Sequence, residues 1–216
     1  MMYNKEQLKE RNASSLSLGV QNYIQDVQTK KKTSSICQGC PLFGSPMVIL
    51  DTNMEDFGPV DIVFLGLNPG KDEVKQGLPF VGKAGRLLRE QIASLPPGTT
   101  YLITNLILCH TNDESKIPSP SKVIKNCQSM RDDILYRFPA KFYVPLGGKA
   151  IKSMGVNDSV IQASGNLYDN PSYINVFPIM HPSAVYRPSQ SKQMSNKDIF
   201  NMSFENLKDL LTTGGK

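Results

Sequence analysis

VDIVFLGLNPGKDEVKQGLPFVGKAGRLL, residues 60–88, is the stretch on which the fold turns. Val60–Leu65 is apolar and β-branched apart from Asp61, which predicts a strand. The Gly/Pro turn GLNPG (66–70) ends it, and Lys83–Leu95 then sets Leu87, Leu88, Ile92 and Leu95 on one face of a helix. The same alternation continues down the chain. Strands are expected at Tyr101–Leu108, Lys141–Leu146 and Tyr173–Ile179, and helices at Ser121–Phe138, Lys149–Met154 and Asn196–Leu211. In the last of these Ile199, Phe200, Phe204, Leu207 and Leu211 recur at helical spacing. Strand and helix alternating in this way predict an α/β protein whose parallel sheet is covered on both faces.

Ahead of this region, Leu8, Leu16, Leu18, Val20, Tyr23, Ile24 and Val27 form a loose apolar face with a basic end at Gln28–Lys32. Residues 1–34 are therefore expected to be an N-terminal helical arm and residues 35–216 the main domain. A chain of 216 residues with 39% hydrophobic and 20% charged residues is too apolar for a disordered polymer. No run reaches the eighteen apolar residues of a membrane span, so no membrane partner is expected. MMYNKEQLKE has no apolar segment behind its charges, which points away from a secretory signal and toward a reducing, cytoplasmic setting. Cysteines there are not expected to pair as disulfides. A net charge of +5 permits an anionic partner without requiring one.

In open α/β sheets ligands bind beyond the carboxyl ends of the strands. The segments that should converge are GLNPG (66–70), Asn105 with the loop after it, LGGKA (146–150) and HPSA (181–184). Three of these are turns rich in Gly or Pro with few charges, as close backbone approach to a flat or anionic ligand requires.

The four cysteines make a separate pattern. Cys37 and Cys40 form C-x-x-C, and Cys109 and Cys127 follow at long spacing. Structural zinc usually takes two close pairs of ligands, whereas here the second pair is spread. A four-iron, four-sulfur cluster needs four thiolates and tolerates scattered ones. Packing as small hydrophobes suits Cys109 and Cys127, but not the polar turn holding Cys37 and Cys40. Spacing alone ranks a metal centre above none and leaves zinc and iron–sulfur even.

GLNPGKDEVKQGLPFVGKAGRLL (66–88), TNLILC (104–109), VPLGGKA (144–150) and HPSAVYR (181–187), together with the cysteines, resemble the iron–sulfur (family 4) uracil-DNA glycosylases. The likeness spans roughly residues 35–211, and the motifs occur in order. It implies a three-layer α/β/α sandwich with a central four-stranded parallel sheet, and a 4Fe-4S cluster on Cys37, Cys40, Cys109 and Cys127. It also implies a DNA repair hydrolase that flips uracil out of DNA and cuts its N-glycosidic bond, leaving an abasic site. No motif places a lysine as a Schiff-base nucleophile, so the enzyme is expected to be monofunctional. It is also expected to act as a monomer on uracil-containing DNA.

The chemistry assigns roles within that resemblance. Breaking the bond puts positive charge on the sugar and negative charge on the departing base. Phe80, between Gly77, Pro79 and Gly82, is the expected stacking shelf; elsewhere it would read as a core Phe. Asn105 can donate and accept at the O4/N3 edge of uracil, and Asn is out of place inside a strand unless it has such a task. His181 is expected to donate to uracil O2, a role that rests on the match to HPSA. Gly66 and Leu67 are expected against the substrate, and Lys83, Ser183 and Arg187 against DNA.

The first motif departs from the family's Gly-Glu-Ala-Pro-Gly by reading Gly66-Leu67-Asn68-Pro69-Gly70, which is similar to the mismatch-specific uracil and thymine glycosylases. Asn68 is the corresponding candidate for positioning water. Glu73 is a second candidate, against the alternative of a solvated loop glutamate beside Lys71 and Lys75. A further departure is the loop His110-Thr111-Asn112-Asp113-Glu114, acidic where the family has an Arg-Pro-rich segment. Two other outcomes stay open at the level of sequence: a non-catalytic DNA-binding or damage-recognition protein on the same fold, and a variant acting on another modified base.

Overall fold

Strand β2 (Val60–Gly66) lies at the centre of the sheet because Asp61 is its only residue that is not buried. A computed structural model of the chain describes residues 16–111, 120–170, 173–189, 191 and 193–214. On either side of β2 run β3 (Tyr101–Asn105) and β4 (Ala140–Pro145), both parallel to it, and β6 (Tyr173–Val176) continues the parallel set beyond β4. Two short strands complete the described sheet. β1 (Leu50–Thr52) adds antiparallel to β3 and β5 (Tyr168–Asn170) antiparallel to β6, giving the order β1-β3-β2-β4-β6-β5. The expected four parallel strands are thus present inside a mixed sheet of six. The expected strands at 101–108 and 173–179 are shorter as regular strands, ending at Asn105 and Val176, although the backbone N–H groups of Leu106, Ile107, Phe177 and Ile179 still bond across to Gly66, Leu67, Tyr143 and Pro145.

Alternation along β2 separates two layers. Ile62 and Phe64 face α4 (Lys83–Ala93) and α9 (Asn196–Thr213), where they meet Leu88, Phe200, Phe204 and Leu207. Val63 faces the opposite way, onto α1 (Leu18–Thr33) and α6 (Gln128–Arg137), against Val20, Tyr23, Val27, Ile134 and Phe138. Leu65 joins that second side near α5 (Pro120–Asn126) and α7 (Gly148–Ser153). The three-layer α/β/α arrangement follows from a period of two on a strand buried on both faces. Each such large apolar side chain contributes about 1.5–3 kcal/mol by leaving water.

Within the expected N-terminal helical arm the structure describes α1, whose Val20, Tyr23 and Val27 are buried against the sheet. Residues 1–15 lie outside the described residues. The helix expected over 121–138 forms as α5 and α6, meeting at Cys127, whose backbone caps the second segment. The rest of the described helical turns are α2 (Ser35–Gln38), α3 (Lys71–Gln76), α8 (Val160–Ala163) and a 3-10 turn at Pro182–Tyr186. No helix among the described residues is long and apolar enough to cross a membrane.

Asp61 explains how β2 and β3 start in register. Its carboxylate accepts from the Thr100 backbone N–H at 2.8 Å, the Thr100 hydroxyl at 2.9 Å and Lys141 Nζ at 2.9 Å. Partial burial works against ionisation, but the Thr100 bonds and Lys141 outweigh it and hold the carboxyl below its ordinary value. Asp61→Ala is therefore expected to cost about 1–2 kcal/mol at neutral pH. A carboxyl with a lowered folded pKa stabilises above its unfolded value, about 4, and loses that contribution as pH falls through the lower folded value. Denaturant melts of both proteins from pH 7 downward should show the gap closing below about pH 4. A gap independent of pH would assign the loss to packing instead.

Candidate active site and cysteine cavity

The parallel strands end side by side, and their next residues enclose a cleft of about 380 Å³. Asn68, Glu73, Phe80, Lys83, Asn105 and His181 all line it, as do Pro69, Gly70 and Thr111. Six of the residues expected from sequence thus meet in one place. Gly66 lies behind two of these side chains and outside the lining itself: it pairs with Asn105 across the β2/β3 ladder. A Cβ there would come within 2.4 Å of Asn105 Oδ1 and 2.7 Å of the Phe80 ring, so only glycine lets both side chains approach.

Asn105 is 1% exposed, yet neither its Oδ1 nor its Nδ2 has a hydrogen-bond partner among the described residues. An unmade bond on a buried polar group costs about 1–3 kcal/mol. Such an amide at the wall of a cleft is prepared for a ligand. Asn68 shows a similar feature: its Oδ1 is buried without a partner, while Nδ2 donates to the Pro69 carbonyl at 3.3 Å.

Phe80 has φ +54°, a left-handed conformation that a bulky residue adopts at about 1–3 kcal/mol. Its ring packs into the core on one side and borders the cleft, with the His181 ring at 6.0 Å between centroids and 37° between planes. Both the core and the shelf readings of Phe80 thus describe its position.

His181 stands at the start of the 3-10 turn. Its Nδ1 lies 2.8 Å from Ser183 Oγ and accepts the Ser183 backbone N–H at 3.2 Å. A backbone N–H can only donate, so Nδ1 is an acceptor and the neutral ring carries its proton on Nε2. Ser183 therefore sets the tautomer of His181 and does not itself line the cleft.

Glu73 spans two segments. Its Oε2 accepts from Gly70 N at 3.1 Å and its Oε1 from Val81 N and Gly82 N at 2.8 Å each. A carboxylate so engaged ties the GLNPG turn to the Phe80 turn, which is neither the solvated loop glutamate nor a free base. Lys83 places Nζ 3.9 Å from the Tyr186 ring centroid, a cation–π contact across the rim. Arg187 is exposed at the end of the 3-10 turn, outside the lining. Leu67 is not brought to the cleft by its side chain, which packs among Leu65, Leu106 and Ile107 on the other side of the sheet.

Two residues brace the site in ways the sequence reading did not assign: His110, which follows Cys109 and was expected to meet solvent, phosphate or the cysteine site, and Arg89. His110 is buried and its Nδ1 lies 2.8 Å from the Pro69 carbonyl, so that nitrogen donates and braces the turn bearing Asn68. Arg89 bonds the carbonyls of Pro79 and Phe80. His110 reaches a carbonyl far back in the chain, and Arg89 reaches back from its helix across the turn before it, so neither contact has a local signal. Asn112, Asp113 and Glu114 of the expected acidic loop lie outside the described residues.

Cys37, Cys40, Cys109 and Cys127 line a second cavity, together with Leu42, Met47, Val123 and Met130. Cys37 belongs to α2 and Cys40 to the turn after it, Cys109 follows β3, and Cys127 lies at the α5–α6 junction. Cys109 and Cys127 are buried, Cys37 and Cys40 half-buried. Burial pushes the Cys109 thiol up to about 11; Lys31 pulls against this and the other three thiols add to it. Among the described residues no three His, Cys, Asp or Glu side chains close around one point as a single metal ion requires. Four soft sulfur donors around one largely apolar cavity nevertheless suit a thiolate-held cluster, which accepts ligands spread more widely.

Residues 55–208 match the family model of the Uracil DNA glycosylase superfamily, and the chain belongs to that superfamily. Among its relatives are proteins named Type-4 uracil-DNA glycosylase. That of Archaeoglobus fulgidus is 31% identical over 143 residues, covering 59% of this chain and 68% of the relative. Those of Sulfurisphaera tokodaii and Thermotoga maritima are 29% and 28% identical, over 74% and 70% of this chain and 74% and 78% of theirs. Within the superfamily the chain groups with these type-4 members.

Proposed function

We propose that the chain is a uracil-DNA glycosylase, a DNA repair hydrolase that removes uracil from DNA and leaves an abasic site. The observation that carries this reading at the site is the unpartnered amide of Asn105, held beneath Gly66 and beside Phe80 with His181 across the cleft. A flipped uracil stacks on Phe80 and meets the Asn105 amide through O4 and N3–H. As the C1′–N1 bond breaks, its electron pair goes to the base. His181 donates Nε2–H to O2, where much of that charge collects. Asn68 Oδ1 accepts a hydrogen bond from the water that attacks C1′; the oxygen bonds C1′, the water's proton leaves to solvent, and the uracil anion takes up one proton from solvent to leave as uracil. An amide orients water without being a strong base, which suits a path in which the leaving group goes first. Glu73 holds the two turns in place rather than taking the proton. Lys83 and Arg187 contact DNA phosphates.

Cys37, Cys40, Cys109 and Cys127 would hold a 4Fe-4S cluster, in preference to zinc. Bound there, it would supply thiolate–iron bonds cross-linking α2, the end of β3 and the α5–α6 junction. The enzyme works as an intracellular monomer.

Release of uracil from a uracil-containing oligonucleotide, read as alkali-labile strand breaks, tests the activity. DNA binding without abasic product would favour the damage-recognition alternative. Purified protein is expected to be brown with broad visible absorption that bleaches on oxidation, and Cys109→Ser or Cys127→Ser should lose most of that colour. A colourless protein containing zinc would overturn the iron–sulfur assignment while leaving the glycosylase reading standing.

A further inference from the structure

The conformation of Phe80 is held from two sides. On the amide side, Glu73 takes the N–H groups of Val81 and Gly82. On the carbonyl side, Arg89 Nε donates to Phe80 O at 2.8 Å and Nη2 donates to Pro79 O at 2.7 Å. The same Nη2 lies 2.6 Å from Asp51 Oδ2, and the two side chains are 11% and 4% exposed. Asp51 is the middle residue of β1, paired with Ile103 of β3. Gly85, one helical turn before Arg89 on α4, lets the helix pass against this turn: a Cβ there would lie 2.0 Å from the Phe80 carbonyl carbon. A guanidinium buried this deeply is stable only where its donors and charge are matched. Here one carboxylate and two carbonyls match it.

We infer that Arg89, anchored by Asp51, is a positioning residue for the stacking shelf: it fixes the left-handed Phe80 under the base, and so sets how tightly uracil is held. This rests on the proposed role of Phe80. A guanidinium is needed because its fork reaches two successive carbonyls and a carboxylate together, whereas a lysine ammonium is a single point of charge. Without it, the two guanidinium bonds that oppose a return of Phe80 to negative φ are gone, and such a return would swing the ring away from the cleft. The clamp acts before chemistry, so its loss should fall on KM more than on kcat.

The test is a double-mutant cycle on uracil release, with Phe80→Ala, Arg89→Met and both together, each checked for folding by thermal melting. Phe80→Ala is expected to lower kcat/KM about 5–150-fold, the range for one lost base–aromatic stack. Arg89→Met should lower it about tenfold, mainly through KM, and add less than about twofold once Phe80 is already alanine. Arg89→Lys should recover part of the loss. Losses that multiply, or a folded Arg89→Met enzyme within about twofold of the unaltered one, overturn the inference. If Arg89→Met does not fold, Arg89→Lys and Asp51→Asn serve in the same cycle. Failure of the unaltered protein to release uracil would instead sink the glycosylase reading. The clamp is then still decided by a crystal structure of a folded Arg89 variant: Phe80 at negative φ supports it, and Phe80 unmoved at positive φ overturns it.

Discussion

His181→Ala is expected to lower kcat for uracil release by about 10²–10³ without loosening the fold, since this is the scale of removing one donor from a developing anion. The ring enters the cleft from a half-buried position at the residue that caps the 3-10 turn, and the Ser183 backbone N–H occupies Nδ1. That bond leaves Nε2 as the donor of a neutral imidazole, so the enzyme need not carry an imidazolium to stabilise the leaving group. The loss should sit in the bond-breaking step, since a hydrogen bond to O2 strengthens only as charge builds there. Single-turnover kinetics with enzyme in excess isolate that step. A fall of less than about tenfold there would remove His181 from the chemistry and leave it a structural cap.

Asn105→Ala should separate activity from stability. Two lost bonds to the base edge, at about 1–3 kcal/mol each, lower kcat/KM by roughly 30-fold to 10⁴-fold. A substitution at a residue 1% exposed would ordinarily destabilise. Here both amide atoms already lack partners, and removing them relieves that penalty while the vacated volume opens into the cleft. The thermal midpoint should therefore hold or rise as activity collapses. If stability falls along with activity, the amide is bonding within the fold, and its role as reader of the base is wrong.

The centre of the fold was legible because β2 carries its own signal, an apolar run closed by a Gly/Pro turn, and because the turns after the parallel strands stand out in composition. The edges were not. Leu50–Thr52 is too short to show a period, and its antiparallel pairing depends on β3 being exposed at that side. The break at Cys127 was hidden inside a continuous helical pattern. At the site, residues that touch the cleft were named, while those that brace it were missed or given another task. Glu73, expected as a candidate for water or as a solvated loop residue, bonds three backbone amides; His110 braces a carbonyl far away in sequence and Arg89 two carbonyls of the turn before its helix. Such contacts exist only after folding, so spacing along the chain does not record them.

The distribution of the cysteines fixes an order of events in biosynthesis. Cys37 and Cys40 leave the ribosome before any described strand, whereas Cys109 and Cys127 emerge after β1, β2 and β3 have been made. The four sulfurs share a cavity only once those strands have paired and α5 and α6 have docked. A centre held by all four sulfurs would thus need β1, β2, β3, α5 and α6 in place before it could bind.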